Sequence, residues 1–98
     1  MMHRVIVRSI ADTDIVEAAR WYELRDQGLG AEFIRAVDAC IAAIERNPRQ
    51  YPVVYVNITR TLLRKFPFAI FYLVEKESIV ILACLHTKRH PSAFKARK

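Results

Sequence analysis

At Tyr51-Pro52 the hydrophobic period of this chain changes from helical to extended, and that switch commits it to a helical layer packed on a sheet. Upstream, Ile15, Ala18, Ala19 and Tyr22 recur at i, i+3, i+4 and i+7 and form one narrow apolar stripe, which Trp21 and Leu24 widen. Ser9-Ile10-Ala11-Asp12 fits a capping box, and Asp12, Asp14 and Glu17 crowd the next turns, where negative side chains suit the helix dipole, so a first helix is expected to start near Ile10. Gly28 and Gly30 are expected to end it as C-cap and turn. A second helix is expected from about Ala31 to Arg46, with Phe33, Ile34, Val37, Ile41 and Ile44 on one face, and Asn47-Pro48 stops it. Two amphipathic helices so close in sequence make an antiparallel hairpin, and their paired stripes need a further surface to cover them.

The extended segments supply that surface. Val5-Ile6-Val7 reads as a first strand ahead of the helices, and Val53 to Asn57 as a short strand or an extended lead-in. Arg60 to Phe66 alternates, with Arg60, Leu62, Arg64 and Phe66 on one side and Thr61, Leu63 and Lys65 on the other. Charge on both sides places this strand near an edge or along a groove. Phe68 to Val74 and Ile79 to His86, joined by the polar turn Glu75-Lys76-Glu77-Ser78, form a hairpin apolar on both faces, with Ile79 to Leu85 expected at the sheet centre. The tail from Thr87 is short and basic. Pro91 can begin a helical turn in it, Phe94 can pack back, and Lys95, Arg97 and Lys98 are expected to be solvated. The fold class is therefore α+β: an N-terminal strand, an antiparallel helix hairpin, a three-stranded antiparallel sheet and a short C-terminal tail.

At 98 residues and 53% hydrophobic, with two Gly and four Pro, the chain is expected to form one domain over residues 1–98, and a disordered linker is excluded. The longest apolar runs, Phe66 to Val74 and Ile79 to Leu85, fall far short of the roughly 20 residues that cross a bilayer. The opening MMHRVIVRS lacks a long apolar stretch and a small-residue cleavage site, so a cytoplasmic location without membrane partners is expected. Cys40 and Cys84 are isolated among apolar neighbours and read as reduced core residues. No metal or cofactor is called for.

Charge is distributed unevenly. Residues 1–49 hold seven Lys and Arg against eight Asp and Glu, whereas residues 50–98 hold nine against two. A surplus confined to the strand-rich half implies a cationic face that attracts polyanions or acidic protein partners.

The order of elements, together with DTDIVEAARWYE, the GLGAEF joint, the NPRQYP stop, RTLLRKFPFAIFYLV and the final H-x-x-R-x-P of His86, Arg89 and Pro91, resembles the RelE/ParE superfamily of bacterial toxins, closest to the ParE-like, plasmid-stabilisation branch. The likeness spans essentially the whole chain. It implies a toxin held silent in a hetero-oligomer with a cognate antitoxin. ParE-type members poison DNA gyrase, while RelE-type members cut messenger RNA on the ribosome, so the site residues must discriminate between the two.

Metal-independent RNA cleavage needs a base for the 2′-hydroxyl, cations for the transition state and an acid for the leaving oxygen. Arg64 and Arg89 could hold phosphate bidentately, with Lys65 as a point charge and His86 as the near-neutral acid or base, His90 being a looser second choice. RelE-type enzymes use strand lysines with arginines and a late tyrosine, or a Glu, Arg, His and terminal Tyr set. The late aromatic here is Phe94, which cannot transfer a proton, and Glu75 and Glu77 sit in a turn. His86 alternates with Val80, Leu82 and Cys84, and the polar end of a strand is preferred over a catalytic role for it. Trp21, Tyr22 and Tyr72 read as packing residues, and Arg60, Arg64, Lys65 and Arg89 as contacts for antitoxin or target. The expectation is a gyrase-inhibiting, ParE-like toxin, with a ribosome-dependent endoribonuclease as the alternative.

Overall fold

The computed structural model describes residues 3–98, so Met1 and Met2 of the opening stretch lie outside the described residues. Its elements run β1 (Arg4–Val7), α1 (Ser9–Arg25), α2 (Leu29–Arg46), β2 (Val53–Tyr55), β3 (Ile58–Leu62), β4 (Phe68–Val74), β5 (Ser78–His86) and α3 (Ser92–Lys95). The strands form one sheet in the order β1-β5-β4-β3-β2, with β1 parallel to β5 and every other pairing antiparallel. The expected antiparallel strands are thus extended to five by β2 on one edge and β1 on the other. β4, not β5, occupies the centre, but both are flanked on two sides and buried along nearly their full length, as runs apolar on both faces require.

The expected strand from Arg60 to Phe66 stops at Leu62. Its alternation persists in sequence, but the Leu63 N–H donates to the Phe68 carbonyl at 2.9 Å and Lys65 turns left-handed at φ 70°, so residues 63–67 fold back as a turn. Pro67 accounts for this: it lacks an N–H for the ladder and biases the backbone before it.

The helix ends also differ from expectation. Arg8, not Ser9, stands at the N-cap of α1 and no side chain caps it, so the capping box does not form; Ser9 is already helical, and its carbonyl accepts from the Thr13 hydroxyl at 3.1 Å. Asp26 closes α1, and the two glycines serve the next helix instead. Gly28, at φ 91°, is the N-cap of α2. The Glu23 carboxylate accepts the N–H groups of Gly28 and Gly30, each at 3.0 Å, doing for α2 what a capping side chain would do. Gly30 sits where α1 and α2 nearly touch; a Cβ there would lie 2.7 Å from the Ala19 carbonyl oxygen.

Two apolar layers result. On the helix face, Ala11, Ile15 and Ala18 of α1 and Phe33, Val37 and Ile44 of α2 cover Ile70, Tyr72, Ile79, Ile81 and Cys84. Tyr72 is fully buried, and its hydroxyl donates to the Pro48 carbonyl at 2.7 Å. On the other face lie Ile58, Ala69, Phe71, Leu73, Val80, Leu82, Ala83 and Leu85, against which the tail sets Ala93 and Phe94. The Phe94 ring stacks on Phe71 with centroids 4.3 Å apart. Tyr22 joins the helix-face aromatics, 4.8 Å from Phe66 and 5.4 Å from Phe33, whereas Trp21 and Leu24 remain 52% and 83% exposed and do not widen the core stripe.

Between Phe71 and Tyr72 the pairing with β5 slips: Phe71 faces Ala83 and Tyr72 faces Ile81, leaving Leu82 as a bulge. The bulge is held by residues far apart in sequence. Asp14 Oδ2 accepts from the Cys84 N–H at 3.0 Å and from Arg97 at 2.8 Å, its Oδ1 accepts from the other Arg97 nitrogen at 3.1 Å, and Arg97 also donates to the Leu82 carbonyl at 3.1 Å. The Arg97 carbonyl in turn accepts from Arg8 at 2.9 Å. Arg97 is therefore not part of a solvated tail: its side chain is only 15% exposed.

Candidate functional site

Antiparallel pairing brings the start of β4 beside the end of β5, with Phe68 opposite His86. The α1–α2 joint overhangs the same end of the sheet, since Tyr22 and Phe33 reach Phe66 and Phe68 there. Arg64, Lys65, Lys88 and Arg89 all lie in the turns at this end, so much of the cationic surplus of the second half is gathered at the sheet end, not along its face.

A hollow of about 530 Å³ opens between α1 and this end, with Trp21, Tyr22 and Phe68 as aromatic walls and Asp14, Glu17, His86 and Arg89 as its polar and charged lining. Ile10, Asp14, Glu17, Trp21 and Leu24 recur along one helical stripe, and that stripe carries three exposed apolar residues beside the cleft. Arg25 lies over the Trp21 ring, 4.2 Å from its centroid, which holds the indole as a fixed amphipathic surface. The spacing of this second stripe was available in the sequence; what hid it was that Trp21 and Leu24 also continue the core stripe.

Around the sheet end, His86 and Arg89 are shared with a smaller hollow of about 90 Å³ on the face away from the helices, where they meet Arg60 and His90 over Phe71 and Phe94. Arg60 points there because it pairs with Phe71 on that face, and it is half-buried. His86 packs edge-on against Phe68 at 5.3 Å, and its Nδ1 accepts the Lys88 N–H at 3.0 Å, so in the neutral ring the proton resides on Nε2.

Arg64 does not join this group. It lines hollows against α2, one with Glu32, Arg35 and Lys65 and another with Cys40 and Tyr51. The trio Arg64, His86 and Arg89 considered for phosphate chemistry is thus divided, because the turn after Leu62 carries Arg64 toward α2 while Arg60, four residues earlier within β3, stays on the open face. Phe94, in the place where a late tyrosine would matter, is occupied by its stack on Phe71.

Both thiols are free. Burial, reinforced by the neighbouring Asp14 carboxylate, pushes the Cys84 thiol up to about 12, and burial also raises Cys40 against an opposing hydrogen bond from Thr61. Neither thiol is poised as a nucleophile. Among the described residues there is no group of three or more His, Cys, Asp or Glu arranged to hold a metal ion, and no helix long and apolar enough to cross a membrane.

Comparison with known proteins gives a family match. The model of the ParE toxin of type II toxin-antitoxin systems, parDE, matches residues 5–91. Among solved structures, the chain is similar to one from the chromosomal ParDE toxin-antitoxin system of P. aeruginosa, with a TM-score of 0.75 and 16% identity, over 87% of this chain and 96% of that one. At that identity the likeness speaks for the fold. No curated protein matches the sequence.

Proposed function

The chain belongs to the ParE toxin family of type II toxin-antitoxin systems, and on that premise we propose that it is a single-domain toxin that inhibits DNA gyrase by protein contact and is silenced in a hetero-oligomer by a cognate antitoxin. The observation that carries the reading is the surface at the sheet end: an open aromatic cleft beside exposed Trp21 and Leu24, lined by Asp14 and Glu17 on α1 and by His86 and Arg89 across from them. An exposed apolar strip with a charged margin suits a protein partner. The partial separation of the phosphate-handling trio favours gripping over cleavage, since a proton-transfer centre needs its members within hydrogen-bond reach of one reacting group.

The antitoxin lies along the exposed strip and onto the edge strand β2, whose Val53 and neighbouring Val56 are 60% and 63% exposed, and sets acidic groups against Arg60, Arg64, Lys65 and Arg89. Arg64→Glu therefore weakens antitoxin binding more than Lys98→Glu, measured by calorimetry; equal affinities would contradict this placement. For the target, purified protein is added to a gyrase supercoiling and cleavage assay and, separately, to programmed ribosomes followed by primer extension. Arrested gyrase with intact messenger is expected, and cut messenger with unaffected gyrase would replace this reading by the endoribonuclease one.

A further inference from the structure

We propose that the small hollow bounded by Arg60, His86, Arg89 and His90 is a binding site for a phosphate group, a role independent of the contact with gyrase. Four nitrogen-bearing side chains line a space of about 90 Å³, room for a few waters or one tetrahedral oxyanion. No carboxylate lines it. Among the described residues the ion pair of Arg97 with Asp14 is the only one, so the Arg60 and Arg89 guanidiniums have no acidic partner there.

The Nδ1 of each imidazole is already engaged by the backbone N–H two residues further along the chain. His86 Nδ1 accepts the Lys88 N–H at 3.0 Å, and His90 Nδ1 accepts the Ser92 N–H at 3.1 Å with the Ser92 hydroxyl also 3.0 Å away. The proton of each neutral ring is thereby left on Nε2. Phe71 and Phe94 form an apolar floor that excludes water on one side and strengthens the attraction of an anion for the guanidiniums. Donors arriving from a strand, a strand end and a following loop approach from several directions, which matches the oxygens of a phosphate better than the two of a carboxylate.

The phosphate can be the free ion or part of a nucleotide, and the molecule itself offers the means to tell them apart. His86 and Arg89 also wall the larger cleft, where Trp21, Tyr22 and Phe68 present aromatic surface on the scale of a base. Trp21 is the only tryptophan in the chain, so its fluorescence reports on that cleft alone.

The full chain is titrated by calorimetry with sodium phosphate and with adenosine monophosphate, against sodium chloride at matched ionic strength. Saturable binding that weakens with added salt is expected. Arg60→Gln and Arg89→Gln should each weaken it by about tenfold or more, the scale of one charge-assisted hydrogen bond, and Lys76→Gln, at the other end of the sheet, should not. Arg89 is exposed in a loop, so its variant serves if Arg60→Gln perturbs folding, which circular dichroism checks. Tighter binding of the nucleotide with quenched Trp21 assigns a nucleotide phosphate, and equal affinities without quenching assign the free ion. No saturable heat from either compound, or binding unchanged in both Arg variants, would overturn the site.

Discussion

Replacing Arg97 by alanine is the perturbation that most directly tests how the tail is held. It removes two hydrogen bonds to the Asp14 carboxylate, which is 12% exposed in the intact pair, and one to the Leu82 carbonyl, leaving the Cys84 N–H as the remaining partner of Asp14. Breaking a fully buried ion pair costs about 3–5 kcal/mol, because the surviving charge stays desolvated. The residual exposure of both side chains admits some solvent screening, which lowers the expectation to about 2–3 kcal/mol. For a domain near 100 residues that corresponds to a fall in Tm of roughly 10–20 °C. Urea denaturation followed by circular dichroism measures the cost, and a double-mutant cycle with Asp14→Ala isolates the pair, with a coupling of about 1–3 kcal/mol expected. Arg97→Lys should recover only part of the loss, since an ammonium cannot span both carboxylate oxygens and the Leu82 carbonyl in the same plane. A cost below about 0.5 kcal/mol for Arg97→Ala, or strict additivity in the cycle, would refute the clamp and return the tail to solvent. The consequence reaches the site as well, because the same tail presses Phe94 onto Phe71 as the floor of the small hollow.

Two further outcomes follow from the packing. Gly30→Ala would drive a methyl group into the Ala19 carbonyl of α1, and overpacking of this kind costs about 1–3 kcal/mol, measurable as a lower urea midpoint with an unchanged m-value. Burial, followed by the influence of Tyr51 and Cys40, pushes the Tyr72 phenol from its ordinary 10.0 up to about 12. The unfolded chain then releases this proton first, so the contribution of Tyr72 to stability is complete below pH 10 and disappears as the pH rises toward 12. Cys84 acts in the same direction from about pH 9 upward. Thermal melts of Tyr72→Phe should lose stability less steeply than the native chain over pH 10–12; identical slopes would contradict the buried phenol.

Periodicity alone located the two helices, the β4–β5 hairpin and the packing face of α2, because Phe33, Val37 and Ile44 can be buried together only on one side of a helix. It also placed Tyr72 in the core, while for Phe94 the sequence offered only that it can pack back, which it does on Phe71. It misjudged the turn at Arg64-Lys65, where the alternation continues past the last ladder bond, and it assigned Gly28 and Gly30 to the end of α1, since glycine is equally compatible with a helix stop and with a close helix crossing.

Sequence by itself determined the elements, the apolar faces and the surplus of cations in the second half, all of which are local properties that repeat at fixed spacings. Tertiary structure alone decided which cations meet. A slip of one residue in β5 turned the Leu82 carbonyl toward Arg97, a proline-limited turn sent Arg64 to α2, and Arg60, His86, Arg89 and His90 converged from separate elements. Such meetings depend on pairing register and strand order, and neither leaves a signal in the spacing of residues along a single chain.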